Sequence, residues 1–86
     1  MATPTTSGER VRALRTRLDI TQDSLATASG FSRVTIIDVE AGRNALTSFP
    51  LRAALATAFG VELATFLLYC DGGASLADVL ATRSPE

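Results

Sequence analysis

The chain has 86 residues, a formal net charge of −1 and a hydrophobic fraction of 47%. That length allows one domain with a small core rather than two domains. There is no histidine and only one cysteine, Cys70, so no disulfide can form within these residues and we expect no metal site and no cofactor. Because the chain also lacks a glycine-rich phosphate loop and convergent paired carboxylates, we expect no enzymatic activity.

The first eight residues contain no basic side chain and no apolar run, and the longest apolar stretch covers only residues 66–70. We therefore expect no signal peptide, no membrane span and a cytosolic protein. Charge is distributed unevenly along the chain. Residues 1–43 hold six arginines against five acids, whereas residues 44–86 hold two arginines against four acids. This asymmetry favours a first half that faces nucleic acid.

Helix start and stop signals divide the chain into six short helices that follow a polar lead, residues 1–7, which we expect to be disordered. Side chains suited to helix N-caps occur at Thr6, Thr21, Ser32, Ser48 and Ser75. Two of them, Thr6 and Ser75, have an acid three residues later and so match a capping box. Glycines end three of the helices, at Gly30, Gly42 and Gly60. No segment alternates with period two, so the sequence predicts an all-α fold.

The second and third helices meet across a turn of about four residues that contains Gly30, which is a helix-turn-helix arrangement. The segment from Thr21 to Arg43 contains, in order, Thr21-Gln22, Leu25-Ala26, Gly30-Phe31-Ser32, Ile36, and Val39-Glu40 followed by Gly42. In this ordered set it resembles the Cro/repressor-type family, also called XRE-like or lambda-repressor-like. The resemblance extends over about residues 8–67. It implies a five-helix DNA-binding domain over residues 8–69, and residues 70–86 add an extra short C-terminal helix.

A helix held by a rigid neighbour fits the major groove of DNA, and its first turns meet the base edges. Since Ile36 and Val39 must face the core, the outward residues of the third helix are the expected base contacts, namely Ser32, Arg33, Val34, Thr35 and Asp38. Arginine can bind guanine through two hydrogen bonds, valine can pack on a thymine methyl group, and aspartate can accept from cytosine.

Phosphate contacts are expected at the edges of this surface, from Gln22, Arg43 and Asn44. Arg10 and Arg17 either add further phosphate contacts or only solubilise the first helix. For Arg15 and Glu40 the resemblance implies a structural role, as an ion pair that joins the first helix to the third.

The C-terminal region contains more apolar positions than one small core can bury. Either the last helix folds back on its own domain, or apolar stripes from two chains meet across a two-fold axis. The mean hydropathy of +0.24 favours the second arrangement. The expected dimer residues are Phe66, Leu67, Leu68, Tyr69, Leu76, Val79 and Leu80.

Together these features predict a transcriptional regulator of bacterial or phage origin, a repressor or autoregulator that binds an inverted-repeat operator in double-stranded DNA as a homodimer. The alternative is a protein-interaction module of the same fold, antitoxin-like, whose third helix meets a protein partner. Salt separates the two, because phosphate-mediated binding weakens steeply as salt is added.

Overall fold

A computed structural model describes residues 6–83 and folds them into six α-helices, with no strand in that part of the chain. The helices are α1 (Ser7–Arg17), α2 (Gln22–Ser29), α3 (Arg33–Ala41), α4 (Phe49–Phe59), α5 (Leu63–Cys70) and α6 (Leu76–Ala81). The prediction of an all-α fold is therefore confirmed. Of the lead predicted over residues 1–7, residues 1–5 lie outside the described residues, whereas Thr6 caps α1 and Ser7 is its first residue.

The helix ends form where the sequence signals place them. Both capping boxes are present, at the start of α1 and at the start of α6. In the second box, hydrogen bonds from the backbone and hydroxyl of Ser75 lower the pKa of Asp78. The left-handed glycines that end α2, α3 and α4 have φ angles of 71° to 84°. These caps satisfy backbone groups that the short helices would otherwise leave unpaired.

One continuous core joins all six helices. α3 packs against both α1 and α2, α2 also packs against α4, and α5 bridges α1, α4 and α6. Fully buried side chains from all six helices meet there, including Leu14, Leu25, Ile36, Leu55, Phe66 and Val79. The third helix therefore has an inward face fixed by two neighbours and an outward face left to solvent.

α4 and α5 are joined at Gly60, and the rings of Phe59 and Phe66 lie 5.9 Å apart where the two helices meet. Within residues 6–83 no single helix is long and apolar enough to span a membrane. α4 and α5 reach that length and composition only as a pair, across a bend of 113°.

The C-terminal helix folds back on its own domain. Val79 is fully buried, and Leu76 and Leu80 are partly buried against the same core. The end of α6 is tied to the α4–α5 junction, because the backbone N–H of Glu62 donates to Thr82 Oγ1 at 3.0 Å and Arg83 Nε donates to the carbonyl of Phe59 at 3.2 Å. Of the two arrangements open to this helix, the structure adopts the first.

This packing corrects part of the predicted dimer surface. Phe66, Tyr69 and Val79 are in the core of the single chain, so their assignment to an interface between chains is wrong. The physical reason is that α5 turns two of its four consecutive apolar residues inward, and α6 packs Val79 into the same core. Leu68 is 55% exposed, and Leu67 is partly exposed.

The end of α5 is also bound to α1. The hydroxyl of Tyr69 donates to the carbonyl of Arg10 at 2.7 Å, and Ser7 Oγ donates to the carbonyl of Cys70 at 2.9 Å. Burial raises the pKa of Tyr69 to about 12 and the pKa of the Cys70 thiol to about 11. Since the thiolate is the reactive form, this cysteine is a core residue and not a reactive one.

A glycine brings α1 into backbone contact with α3. Gly8 is buried in the first turn of α1, and a Cβ at this position would overlap the carbonyl oxygen of Val39. From the sequence, Gly8 is expected only to be one of the first residues of a helix. In the structure, its missing side chain sets the distance between α1 and α3.

Gly8→Ala should destabilise the protein although alanine is the better helix former by about 1 kcal/mol. Overlap with the α3 backbone must push the helices apart, and overpacking of this kind costs typically 1–3 kcal/mol. We expect the melting temperature to fall by roughly 5–10 °C. The control is Gly73→Ala, where a Cβ would make only an ordinary contact of 3.5 Å with Leu68. A Gly8→Ala variant that melts at or above the parent's temperature would contradict this account of the packing.

Candidate DNA interface

α2 and α3 form a two-helix unit joined by a short turn. Gly30 ends α2 with a φ of 78°, the half-buried Phe31 packs in the turn, and Ser32 caps α3. The inward side chains of both helices, among them Leu25 and Ile36, are buried in the shared core. The orientation of α3 relative to α2 is thus set by packing as well as by the turn.

The first turn of α3 presents its side chains to solvent. Ser32 Oγ accepts from the backbone N–H of Thr35 at 3.1 Å and also shares a hydrogen bond of 3.0 Å with the Thr35 hydroxyl. Arg33 and Val34 are exposed, and Val34 leaves 65% of its surface accessible. The turn therefore combines a cation, an apolar side chain and two hydroxyl groups on one small surface.

The predicted contacts at the end of α3 are engaged within the protein itself. Arg43 Nε donates to Asp38 Oδ1 at 2.9 Å, and the Asp38 carbonyl accepts from the backbone of Arg43 at 2.9 Å and of Asn44 at 3.1 Å. Asn44 Oδ1 accepts from the backbone N–H of Leu46 at 3.0 Å. Leu46 is buried and has a φ of 58°, so the amide of Asn44 supports a strained turn.

The carboxylate of Glu40 is the centre of a hydrogen-bonded cluster between α1, α2 and α3. Arg15 Nε lies 2.6 Å from Glu40 Oε2, and Arg15 Nη2 donates to Glu40 Oε1 at 3.1 Å. A third donor of the same guanidinium, Nη1, binds the carbonyl of Ile20 at 2.8 Å. The side chains are only 13% and 4% exposed, so the ion pair implied for Arg15 and Glu40 is present and largely buried.

Gln22 belongs to the same cluster. Its side-chain Nε2 donates to Glu40 Oε1 at 3.1 Å. An amide facing a carboxylate must turn its nitrogen toward it, because both partners would otherwise be acceptors. The sequence predicts only a phosphate contact for Gln22, so this tie to α3 is a finding of the structure. It leaves the side chain half-buried and held in one orientation at the start of α2.

An open groove of about 540 Å³ lies between α1, α2 and α3. Gln22 and Glu40 line it, together with the arginines Arg12 and Arg33. Arg10 points elsewhere, since its Nη1 donates to the carbonyl of Cys70 at 3.2 Å. Two arginines of α1 line this groove: Arg15, which binds Glu40, and Arg12, which the sequence does not single out. Arg12 is a solvent-exposed residue of α1, and nothing in the sequence distinguishes it from Arg10 or Arg17.

Arg33 pairs with an acid of the neighbouring helix. Its Nε lies 3.3 Å from Asp23 Oδ1, and the two side chains are 61% and 74% exposed. This is a solvent-screened pair of the kind that contributes little to stability. It nevertheless places a negative charge directly beside the cation at the tip of α3.

The arrangement of α1 to α5 agrees with a comparison against protein families. The family model described as a helix-turn-helix domain matches residues 8–66, more than half of the chain. The chain belongs to the helix-turn-helix domain family. This is consistent with the resemblance to Cro/repressor-type proteins, and it makes DNA binding the general activity that the fold supports. No curated protein and no solved structure matches the chain.

Glu40→Ala should lower the stability clearly. Removal of the carboxylate leaves the guanidinium of Arg15 without its partner in a site with little access to water, which costs on the order of 3 kcal/mol for a well-buried pair. Thermal unfolding measures the loss. The matched control is Asp23→Ala, which breaks an exposed pair and should cost less than about 1 kcal/mol. Equal melting temperatures for Glu40→Ala and the parent would show that the buried pair does not support the fold.

Proposed function

We propose that this protein is a cytoplasmic transcriptional regulator of bacterial or phage origin that recognises a specific operator sequence, acting as a repressor or autoregulator. The observation that carries the proposal is the first turn of α3. The inward face of α3 is buried and holds the helix in one orientation, while its first turn, the tip, is exposed. A side chain on the tip can therefore reach base edges in the major groove. Val34 supports this use, because a valine that is 65% exposed at the tip has an apolar surface suited to a thymine methyl group.

In this proposal the residues divide by task. Arg33 binds a guanine and Val34 packs on a thymine, while the hydroxyl groups of Ser32 and Thr35 contact bases or the nearby backbone. Asp38 is the remaining candidate reader, as an acceptor from cytosine, although in the free protein its carboxylate is bound to Arg43.

The proposed phosphate contacts lie beyond this turn. They are Gln22 at the start of α2 and Arg43 after the end of α3, and Arg12 is added to them because it lines the groove. Asn44 contributes through its support of the connector after α3 and through its side-chain amide nitrogen, because its backbone N–H donates to Asp38.

We also propose that the protein binds DNA as a homodimer. A single helix-turn-helix reads only a few base pairs, so two copies about 34 Å apart on an inverted repeat would supply useful affinity. With Phe66, Tyr69 and Val79 in the core, the remaining candidates for the two-fold surface are the exposed Leu68 and the partly exposed Leu67, Leu76 and Leu80.

Selection of bound fragments from random DNA should yield a defined operator, and single substitutions should then separate its readers. Arg33→Ala should lose roughly 1–3 kcal/mol at one operator position and relax the base preference there. Arg43→Ala should weaken binding about equally for all sequences and reduce the salt slope by about one. If Arg33→Ala bound every sequence as well as the parent, Arg33 would not read a base. If the parent's binding partner were a protein and its affinity did not depend on salt, the interaction-module alternative would replace this proposal.

Light scattering of the purified chain without DNA tests the dimer. We expect a species of twice the 9.0 kDa chain mass at micromolar concentration. Leu68→Glu should yield monomers that bind a half-site weakly, because it places a charge on the proposed apolar contact. The matched control is Phe49→Glu, which removes another exposed apolar side chain, at the start of α4, and should leave the dimer intact. A parent chain that scatters as a 9.0 kDa species would rule out the pre-formed dimer.

A further inference from the structure

The cations of the α2–α3 unit are matched by acids of the same unit. Residues 21–44 contain two arginines and three acids. Glu40 is neutralised by the buried Arg15, Asp38 pairs with Arg43, and Asp23 pairs with Arg33. A surface that attracts DNA only by positive charge would not be built in this way, since each acid repels phosphate.

The Asp23–Arg33 pair joins the two helices of the unit. Asp23 lies in the first turn of α2, and Arg33 is the first residue of α3. The contact of 3.3 Å is made by Nε of the guanidinium, which has five N–H donors in a planar fork. An aspartate 3.3 Å from Nε attracts the guanidinium at the atom nearest the helix and leaves its two terminal amino groups available for an acceptor pair.

We propose that Asp23 is a specificity-determining residue, which orients Arg33 for a base and penalises its use on a phosphate. The inference rests on the proposed function as a sequence-specific DNA binder. On an operator, Arg33 reaches guanine while its Nε remains on Asp23, so the pair is kept. On other sequences Arg33 can gain only by turning to a phosphate, which breaks the pair and leaves the carboxylate of Asp23 unpaired beside the phosphate backbone.

The proposal concerns the ratio of the affinity for the operator to the affinity for unrelated DNA, and not the affinity for either DNA alone. Asp23 also has a structural role, since an acid in the first turn of a helix interacts favourably with the helix dipole. Loss of this interaction would lower the stability of the protein and would lower its affinity for all DNA alike. Only a role in orientation changes the affinity for the operator relative to the affinity for unrelated DNA.

The experiment uses the full chain, the operator obtained by selection, and a scrambled duplex of the same length and base composition, at one fixed salt concentration. Asp23→Asn should tighten binding to the scrambled duplex and lower the ratio of the two affinities about three- to five-fold, the scale of one exposed ion pair. Asp23→Glu should keep most of the ratio, because it keeps the charge. In an Arg33→Ala background, Asp23→Asn should leave the ratio unchanged, because the residue acts through Arg33.

The matched control is Asp71→Asn, which changes the same residue type in another arginine pair, with Arg52, outside the α2–α3 unit. It should not alter the ratio. If the parent discriminates between the two duplexes and Asp23→Asn keeps the parent's ratio, the inference is overturned while the proposed function stands. If the parent itself binds both duplexes equally or binds neither, the proposed function fails, and this inference fails with it.

Discussion

The Glu40 carboxylate is the interaction on which the rest of this structure depends. It accepts hydrogen bonds from Arg15 of α1 and from Gln22 of α2, and it belongs to α3 itself. Three helices are thereby connected through two oxygen atoms that have little access to water. Hydrogen bonds to a charged group in such a setting are strong and costly to leave unmade. The same atoms that stabilise the fold hold Gln22 at the edge of the proposed DNA surface, so stability and the proposed recognition share one cluster.

The helices and most of their ends could be predicted from the sequence because they depend on local chemistry. Ser32 as a cap and Gly30 as a left-handed residue act within a few positions of themselves. The ion pair of Arg15 and Glu40 could be inferred only through a family resemblance, since 25 residues separate the partners. The bond from Gln22 to Glu40 and the support of Leu46 by Asn44 had no sequence signal, because polar side chains at helix ends have several possible partners.

Part of the prediction for the C-terminal region was wrong, for a physical reason. A run of four apolar residues on α5 indicates excess hydrophobic surface, but it does not say whether a second chain or a later helix covers it. Here α6 places Val79 in the core and so supplies the cover from within the chain. A six-residue helix with its own capping box was enough to change which residues are buried. Fewer of the predicted dimer residues remain available to a partner, and Leu68 is the most exposed of them.

Backbone contact at Gly8 has a consequence for how this protein meets a double helix. With no side chain between Gly8 and the carbonyl of Val39, α1 and α3 are in backbone contact, and a close-packed contact of this kind yields little. In the proposed complex, adjustment to a groove of the wrong width would then fall on the DNA, which bends or narrows at an energy that depends on its base sequence. Base pairs that no side chain touches would thus contribute to the choice of operator through their stiffness.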